Sequence, residues 1–97
     1  MLTREDILQF LRENKERFAE QYGVTKIGLF GSFARDEATE ESDVDVCVDG
    51  TDCEPFVATH LKDEFEAVFQ RHVDIVQPHR YLRPLFLKRL ESEVIYV

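Results

Sequence analysis

Apolar residues return every three or four positions through the first part of the chain, from Ile7 to Tyr22. That period places their side chains on one face of a helix. Thr3, followed three residues later by Asp6, is similar to a capping box and marks a helix start. The pattern therefore predicts an amphipathic helix that ends near Gly23.

Shorter apolar segments predict four strands. Valines alternate with polar residues across positions 43–49, which is the period of a strand with one buried face. Val24–Phe30 precedes this segment and is stopped by a glycine, and His72–Val76 follows it and is stopped shortly afterwards by a proline. Val94–Val97 can add a fourth strand.

Further helices are predicted between these strands. Ser32–Asp36 can form one short helix. A second helix begins at Glu54-Pro55, where proline is tolerated in the first turn, and its apolar stripe includes His60. Tyr81–Leu90 predicts the last helix. The alternating order, αβαβαβαβ, predicts an α/β fold in which the long helices cover one sheet face.

Composition places the chain among ordinary globular proteins. Its 97 residues predict one domain, residues 1–97, and hydrophobic residues make up 43% of them. No apolar run approaches the roughly 20 residues of a membrane span, and the first residues lack the apolar segment of a signal peptide. Cys47 and Cys53 form neither a disulfide framework nor a zinc-binding spacing. We therefore expect a cytoplasmic protein with no membrane partner.

Acidic residues outnumber basic residues by 20 to 12, which gives a net charge of −8. Proteins bind the phosphate backbone of long nucleic acids mainly through Lys and Arg. The charge therefore argues against a long nucleic acid as the main partner. It is compatible with a mononucleotide that enters with Mg²⁺, and with a basic protein partner.

The candidate chemistry lies at a Gly-Ser turn and at two aspartates that follow it. Ten residues separate Ser32 from Asp43, and Asp45 lies two positions further on the predicted strand. The two carboxylates share one strand face, about 7 Å apart, where they can hold one or two Mg²⁺ ions. Backbone N–H groups after Gly31 and the Ser32 hydroxyl can hold phosphates. This pattern indicates a site that transfers a nucleotidyl group.

The alternative is a half-exposed strand whose aspartates lie on its wet side. Aspartate is depleted in strands, however, and like charges this close repel unless a cation lies between them. A Gly-Ser pair alone usually marks only a turn. The conjunction of a strand, a Gly-Ser turn, a ten-residue gap and an Asp-x-Asp strand favours a catalytic site.

Two segments of the chain resemble the signature of the nucleotidyltransferase superfamily related to DNA polymerase beta: Gly31-Ser32-Phe33-Ala34-Arg35 and Ser42-Asp43-Val44-Asp45-Val46. The first segment and the short chain are similar to the minimal nucleotidyltransferase (MNT) branch, the MntA-like antitoxins. The resemblance implies a small mixed sheet with helices packed on one face. It also implies metal-dependent transfer of a nucleoside monophosphate from a triphosphate, with release of pyrophosphate.

The resemblance implies three carboxylates, of which Asp43 and Asp45 match the first two and Asp74 the third. All three would be catalytic residues and ligands of two Mg²⁺ ions, and Asp74 would also assist removal of the acceptor proton. The structural alternative for Asp74 is a surface acid that pairs with His72. Because His72 is two positions from Asp74, it shares the same strand face, and it can itself belong to the catalytic site.

Nucleotide binding, with ATP as the substrate, would fall to Gly31, Ser32 and Arg35. The structural alternative for Arg35 is pairing with a nearby acid. Phe30 and Phe33 are expected in the core, although Phe33 can border the nucleotide. A basic cluster can steer the triphosphate or contact a partner, and a solvated helix face is its simpler explanation; it comprises His79, Arg80, Arg83, Lys88 and Arg89.

Together these features predict an enzyme that binds Mg·ATP and transfers AMP to a hydroxyl. The resemblance implies that the acceptor is a tyrosine of a HEPN-domain toxin, which the chain neutralises as its antitoxin. One alternative is a nucleotidyltransferase that modifies a small molecule, although such enzymes usually carry an additional acceptor-binding domain. The other alternative is a non-catalytic module that blocks the toxin by binding alone.

Overall fold

The first helix follows the pattern of its sequence. In the computed structural model, which describes residues 2–50, 55–78 and 83–97, α1 spans Arg4–Tyr22. Thr3 Oγ1 accepts a hydrogen bond from the Asp6 N–H at 3.1 Å, and the Asp6 carboxylate accepts one from the Thr3 N–H at 3.0 Å. Gly23 ends the helix in the left-handed conformation, with a φ of 72°. Local residues therefore fix both ends of α1.

The described strands form one mixed sheet in the spatial order β3-β2-β1-β4. β1 pairs antiparallel with β2 and with β4, whereas β2 and β3 are parallel. Two further helices lie between β2 and β3 and between β3 and β4 in the chain. The elements after α1 are β1 (Lys26–Phe30), β2 (Val44–Asp49), α2 (Pro55–Phe69), β3 (Val73–Val76), α3 (Pro84–Glu93) and β4 (Ile95–Tyr96).

The main core lies between one sheet face and helices α1 and α2. Alternate strand residues point into it and are fully buried: Ile27, Leu29, Val44, Val46, Val48 and Val73. Phe10 and Phe18 of α1 meet Phe65 and Phe69 of α2, with ring centroids 5.4 to 6.1 Å apart between the helices. The valines of β2 therefore point into the helices, as predicted, and its aspartates lie on the opposite face.

Helix α3 covers part of that opposite face. Leu90 packs with Cys47 of β2 and Val76 of β3 in a second, smaller cluster. Phe86 meets Phe30 of β1 edge to face, with ring centroids 6.2 Å apart. The mixed sheet with α1 and α2 on one face agrees with the predicted fold class. The third helix adds a wall on the other face, next to the aspartates.

The predicted short helix at residues 32–36 is wrong. These residues form a hydrogen-bonded turn, in which the Arg35 N–H donates to the Gly31 carbonyl at 3.1 Å and the Asp36 N–H to the Phe33 carbonyl at 3.2 Å. Asp36 has a φ of 60°, a left-handed conformation that cannot continue a right-handed helix. The described elements therefore follow the order αββαβαβ.

The other differences concern α2 and α3. His60 is exposed rather than buried, because the buried stripe of α2 follows Leu61, Phe65 and Phe69, and His60 lies beside that stripe. Helix α3 extends to Glu93, beyond the predicted end at Leu90. Several predicted features lie outside the described residues: Cys53, His79, Arg80 and the proposed helix start at Tyr81.

Candidate active site

Three aspartates meet at one edge of the exposed sheet face. Asp45 of β2 is the register partner of Asp74 of β3, so their side chains leave the parallel strands side by side on one face. Asp43 directly precedes β2, and ligand atoms of Asp43, His72 and Asp74 all lie within 4.8 Å of one another. The structure thus brings the three predicted carboxylates together, with His72 next to Asp43 and Asp74.

The surroundings of Asp45 disfavour the ionised form of its carboxyl group. The pKa of its carboxyl is raised from 3.8 to about 6, first by partial burial and then by repulsion from Asp74 and Asp43. Arg35 and His72 oppose this rise more weakly. A carboxylate that is costly to ionise beside two other acids is a group whose charge a divalent cation would stabilise.

Gly31 allows the turn after β1 to lie against Asp45. Its φ is +80°, and a Cβ at this position would overlap the Asp45 Oδ2 atom. The turn continues with the Glu37 N–H donating to the Ser32 carbonyl at 2.9 Å. Position 31 therefore requires glycine for two reasons: its positive φ and the close approach of the Asp45 carboxylate.

A cleft of about 300 Å³ opens between this turn and α3. It brings together the predicted Gly31, Ser32 and Arg35 with Asp45, so the phosphate-binding candidates and one catalytic candidate share one space. The aromatic pair of Phe30 and Phe86 belongs to its wall. Its lining comprises Phe30, Gly31, Ser32, Arg35, Asp45, Phe86 and Arg89.

Two lining residues come from α3: Phe86, which the sequence did not single out, and Arg89, a member of the basic cluster that can steer the triphosphate. They are three positions apart, so they lie on one side of α3. The sequence contains that spacing, but the spacing does not tell which sheet face α3 covers. Phe33 is buried in the main core, as expected, whereas Phe30 was expected in the core and lines the cleft.

Arg35 has a structural role in addition to its place in the cleft. Its Nη1 donates to Glu93 Oε2 of α3 at 3.0 Å, and its Nε donates to Glu37 Oε2 at 3.4 Å. The structural alternative from the sequence, pairing with nearby acids, is therefore observed. These contacts hold the cationic side chain at the cleft wall, where it remains available to an anionic ligand.

Arg71 fastens the loop that leads into Asp43. Its Nη1 donates to the carbonyls of Thr39 and Ser42, at 3.0 and 2.9 Å, and its guanidinium lies 5.2 Å from the centroid of the Phe33 ring. The Arg71 side chain, which lies just before β3, thus holds the loop that precedes Asp43 in place.

We predict that Arg71→Ala lowers the free energy of unfolding by about 1–2 kcal/mol, because it removes two charge-assisted hydrogen bonds and a ring contact. Amide hydrogen exchange should accelerate at Ser42, whose N–H donates within this loop to the Thr39 carbonyl. Urea unfolding and exchange measurements check the two effects. Arg12→Ala, at an exposed position of α1, is the control. Equal stability of both variants would contradict the role given to Arg71.

Within the described ranges, every helix is too short or too polar to cross a membrane.

Comparisons with known proteins extend over nearly the whole chain. The profile of the nucleotidyltransferase domain family matches residues 9–97. The protein adenylyltransferase MntA of Thermococcus cleftensis is 38% identical over 98 residues, which cover 100% of this chain and 98% of the relative.

Solved structures share the fold. One, proposed to be a minimal nucleotidyltransferase, has a TM-score of 0.78 and 29% identity, covering 97% of this chain and 95% of the other. Another is a re-refined structure of a tri-AMPylated Shewanella oneidensis HEPN toxin in complex with an MNT antitoxin. It has a TM-score of 0.59 and 19% identity, covering 96% of this chain and 66% of the matched chain. Because a family profile and a full-length relative agree, this chain is an enzyme that belongs to the nucleotidyltransferase domain family, in its MntA-like branch.

Proposed function

We propose that this chain is a Mg²⁺-dependent protein adenylyltransferase that moves AMP from ATP to a hydroxyl of a HEPN-domain toxin. The observation that carries the proposal is the position of Asp45. Its carboxylate lies beside Asp74 on one side and against the Gly31 turn and its cleft on the other. Asp45 therefore joins a metal-binding group of acids to a space that can hold a nucleotide.

The three aspartates fit a divalent cation. They offer carboxylate oxygens, the ligands that Mg²⁺ prefers. The pKa of Asp45 is raised first by partial burial and then by repulsion from Asp74 and Asp43, and a bound cation would offset both. Asp43, Asp45 and Asp74 would hold the cations, with Asp74 on the acceptor side. When bound, two such ions would stabilise the attacking and leaving oxygens of an in-line displacement.

The reaction requires the acceptor oxygen to bond to the α-phosphorus while the bond from that phosphorus to the β-phosphate bridging oxygen breaks. Pyrophosphate leaves with the electrons of the broken bond, and Asp74 receives the proton of the hydroxyl. Asp43 and Asp74 are exposed, so a hydroxyl on a second protein can reach this edge. A site open to solvent suits an acceptor that another chain presents.

The turn after β1 would hold the triphosphate. The N–H groups of Ser32 and Phe33 precede the first hydrogen-bonded N–H of the turn, that of Arg35, as donors do at a helix start. The Ser32 hydroxyl can donate to a phosphate oxygen. Arg35 and Arg89 add positive charge along the cleft wall.

The proposed acceptor of AMP is inferred from the proteins to which this chain is similar. The relative from Thermococcus cleftensis is a protein adenylyltransferase, and the Shewanella oneidensis complex contains an AMPylated HEPN toxin. We infer that this chain likewise modifies a tyrosine of a HEPN toxin and so acts as an antitoxin, as a single domain in the cytoplasm. Its net charge of −8 suits a basic, RNA-binding partner.

Mass spectrometry tests this function. A HEPN-domain toxin is incubated with the enzyme and Mg·ATP, and we expect AMP-sized mass increments on a tyrosine of the toxin. The double variant Asp43→Asn/Asp45→Asn should still co-purify with the toxin yet leave it unmodified and active. Neutralisation by that variant would overturn the catalytic proposal and would support a non-catalytic module that acts by binding alone.

A further inference from the structure

His72 lies at the acidic site but has no part in the mechanism above. It directly precedes β3, about half of its side chain is exposed, and its Nε2 atom lies 3.9 Å from Asp74 Oδ1. That separation is too long for a hydrogen bond. It is short enough for two atoms that share one cation, because two ligands at about 2.1 Å from a metal are at most about 4.2 Å apart.

Glu66 of α2 orients the imidazole. Glu66 Oε2 lies 3.2 Å from His72 Nδ1 and also accepts a hydrogen bond from the Val73 N–H at 3.0 Å. The carboxylate is thereby tied to the start of β3, and it favours the tautomer that carries its proton on Nδ1. The lone pair of Nε2 is then left for the side on which Asp74 lies. Histidines that bind metals usually have a carboxylate as the partner of their second nitrogen, and Glu66 lies within ion-pair distance of Nδ1.

We infer that His72 Nε2 is a metal ligand, and that Asp43, His72 and Asp74 form a mixed nitrogen–oxygen site that prefers Mn²⁺ and similar transition-metal ions to Mg²⁺. Imidazole binds such ions well, whereas Mg²⁺ prefers oxygen ligands throughout. This inference deepens the proposed function, on whose metal site it rests. The alternative is an exposed ion pair of a protonated His72 with Glu66 and Asp74, and it predicts no imidazole nitrogen coupled to bound Mn²⁺.

Manganese binding to the nucleotide-free protein tests the inference. Electron paramagnetic resonance of added Mn²⁺ should give a Kd well below that of Mg²⁺ measured by competition. Electron spin echo measurements should detect an imidazole nitrogen coupled to the bound Mn²⁺. In His72→Phe this coupling should disappear, the Kd for Mn²⁺ should rise by about 10- to 100-fold, and the Kd for Mg²⁺ should change less than about threefold.

Two further variants sharpen the result. Glu66→Gln keeps the imidazole but weakens its orientation, so the Kd for Mn²⁺ should rise by about tenfold. His60→Phe removes the exposed imidazole of α2 and should leave both Kd values unchanged. Absence of nitrogen coupling in the unmodified protein, which needs no variant, would overturn the inference, as would equal Mn²⁺ affinity in His72→Phe and His60→Phe.

These readouts separate the inference from the function on which it rests. Nitrogen-coupled Mn²⁺ in a protein that never modifies a toxin would support His72 as a ligand while the proposed transfer reaction fails. If the protein modifies the toxin but His72→Phe binds Mn²⁺ with the same Kd as the unmodified protein, the reaction is supported and the inference is overturned.

Discussion

Asp45→Asn will abolish AMP transfer and, in metal-free buffer at pH 7.5, will make the fold more stable. Loss of one carboxylate that would hold the proposed cations should lower kcat by about 10³-fold or more. The same change removes a partly buried charge that Asp74 and Asp43 repel. We expect the free energy of unfolding to rise by about 1–2 kcal/mol, less than the full pKa shift would give, because the side chain keeps some contact with water.

The pH dependence of stability provides a second measurement of the same effect. The pKa of Asp45 is about 6 in the folded protein, above its ordinary value of 3.8. Between these two pH values the folded state therefore binds more protons than the unfolded chain does. The contribution of Asp45 to the free energy of unfolding must fall as the pH rises through this window, and stay low above it. Asp45→Asn should lack this fall.

Urea unfolding in EDTA from pH 4 to pH 7.5 measures both effects, with Asp63→Asn as the matched control. Asp63 is an exposed acid on α2, so its replacement should change neither stability nor turnover. Added Mg²⁺ should stabilise the unmodified protein more than Asp45→Asn, because a ligand stabilises only the state that binds it. Identical pH profiles for Asp45→Asn and the unmodified protein would show that the fold does not raise the pKa of Asp45.

Local sequence patterns predict the parts of the site that one strand or one turn determines. Alternation along β2 is sufficient to place Val44 and Val46 in the core and Asp45 on the opposite face, because side chains alternate along any strand. The capping residues at Thr3 and Asp6 likewise act within one turn of helix. Asp74 is different: its pairing with Asp45 depends on the parallel register of β2 and β3, and only the family resemblance identified it.

Features that depend on the packing of whole elements were not predictable from local patterns. The apolar stripe of α3 predicts a buried face, but a helix can bury the same stripe on either side of a sheet. The position of Phe86 and Arg89 in the cleft could therefore be read only from the three-dimensional packing of α3. Phe33 is buried in the main core as expected, in the turn after β1, whereas Phe30 lines the cleft because α3 packs on its side of the sheet.

The orientation of His72 by Glu66 also depends on three-dimensional structure. The two residues are six positions apart and belong to different elements, since Glu66 lies in the last turns of α2 and His72 lies just before β3. The two-residue spacing predicts that His72 shares the strand face of Asp74, but nothing in the sequence connects His72 with a glutamate of the preceding helix. The hydrogen bond from the Val73 N–H to Glu66 shows how the end of α2 and the start of β3 are joined.

Gly31→Ala should damage both the fold and the reaction. Alanine at a φ of +80° costs about 1–2 kcal/mol, and its Cβ would overlap Asp45 Oδ2, so the carboxylate must move. A displacement of about 1 Å at a catalytic group can cost 100-fold in rate. We therefore expect kcat/KM for AMP transfer to fall by about 100-fold or more, and urea unfolding to show the loss of stability.

Gly50→Ala separates backbone strain from the contact with Asp45. Gly50 has a φ of +91°, and its Cβ would overlap Thr25, at the end of β2 away from the acidic site. This variant should lose a similar amount of stability yet keep kcat/KM within about threefold. In an Asp45→Ala background, Gly31→Ala should cost only the backbone strain, because the overlapping carboxylate is gone, and the difference between the two costs measures the contact. Full activity in Gly31→Ala would mean that catalysis does not need the turn to lie against Asp45, which would remove the link between the cleft and the acidic site.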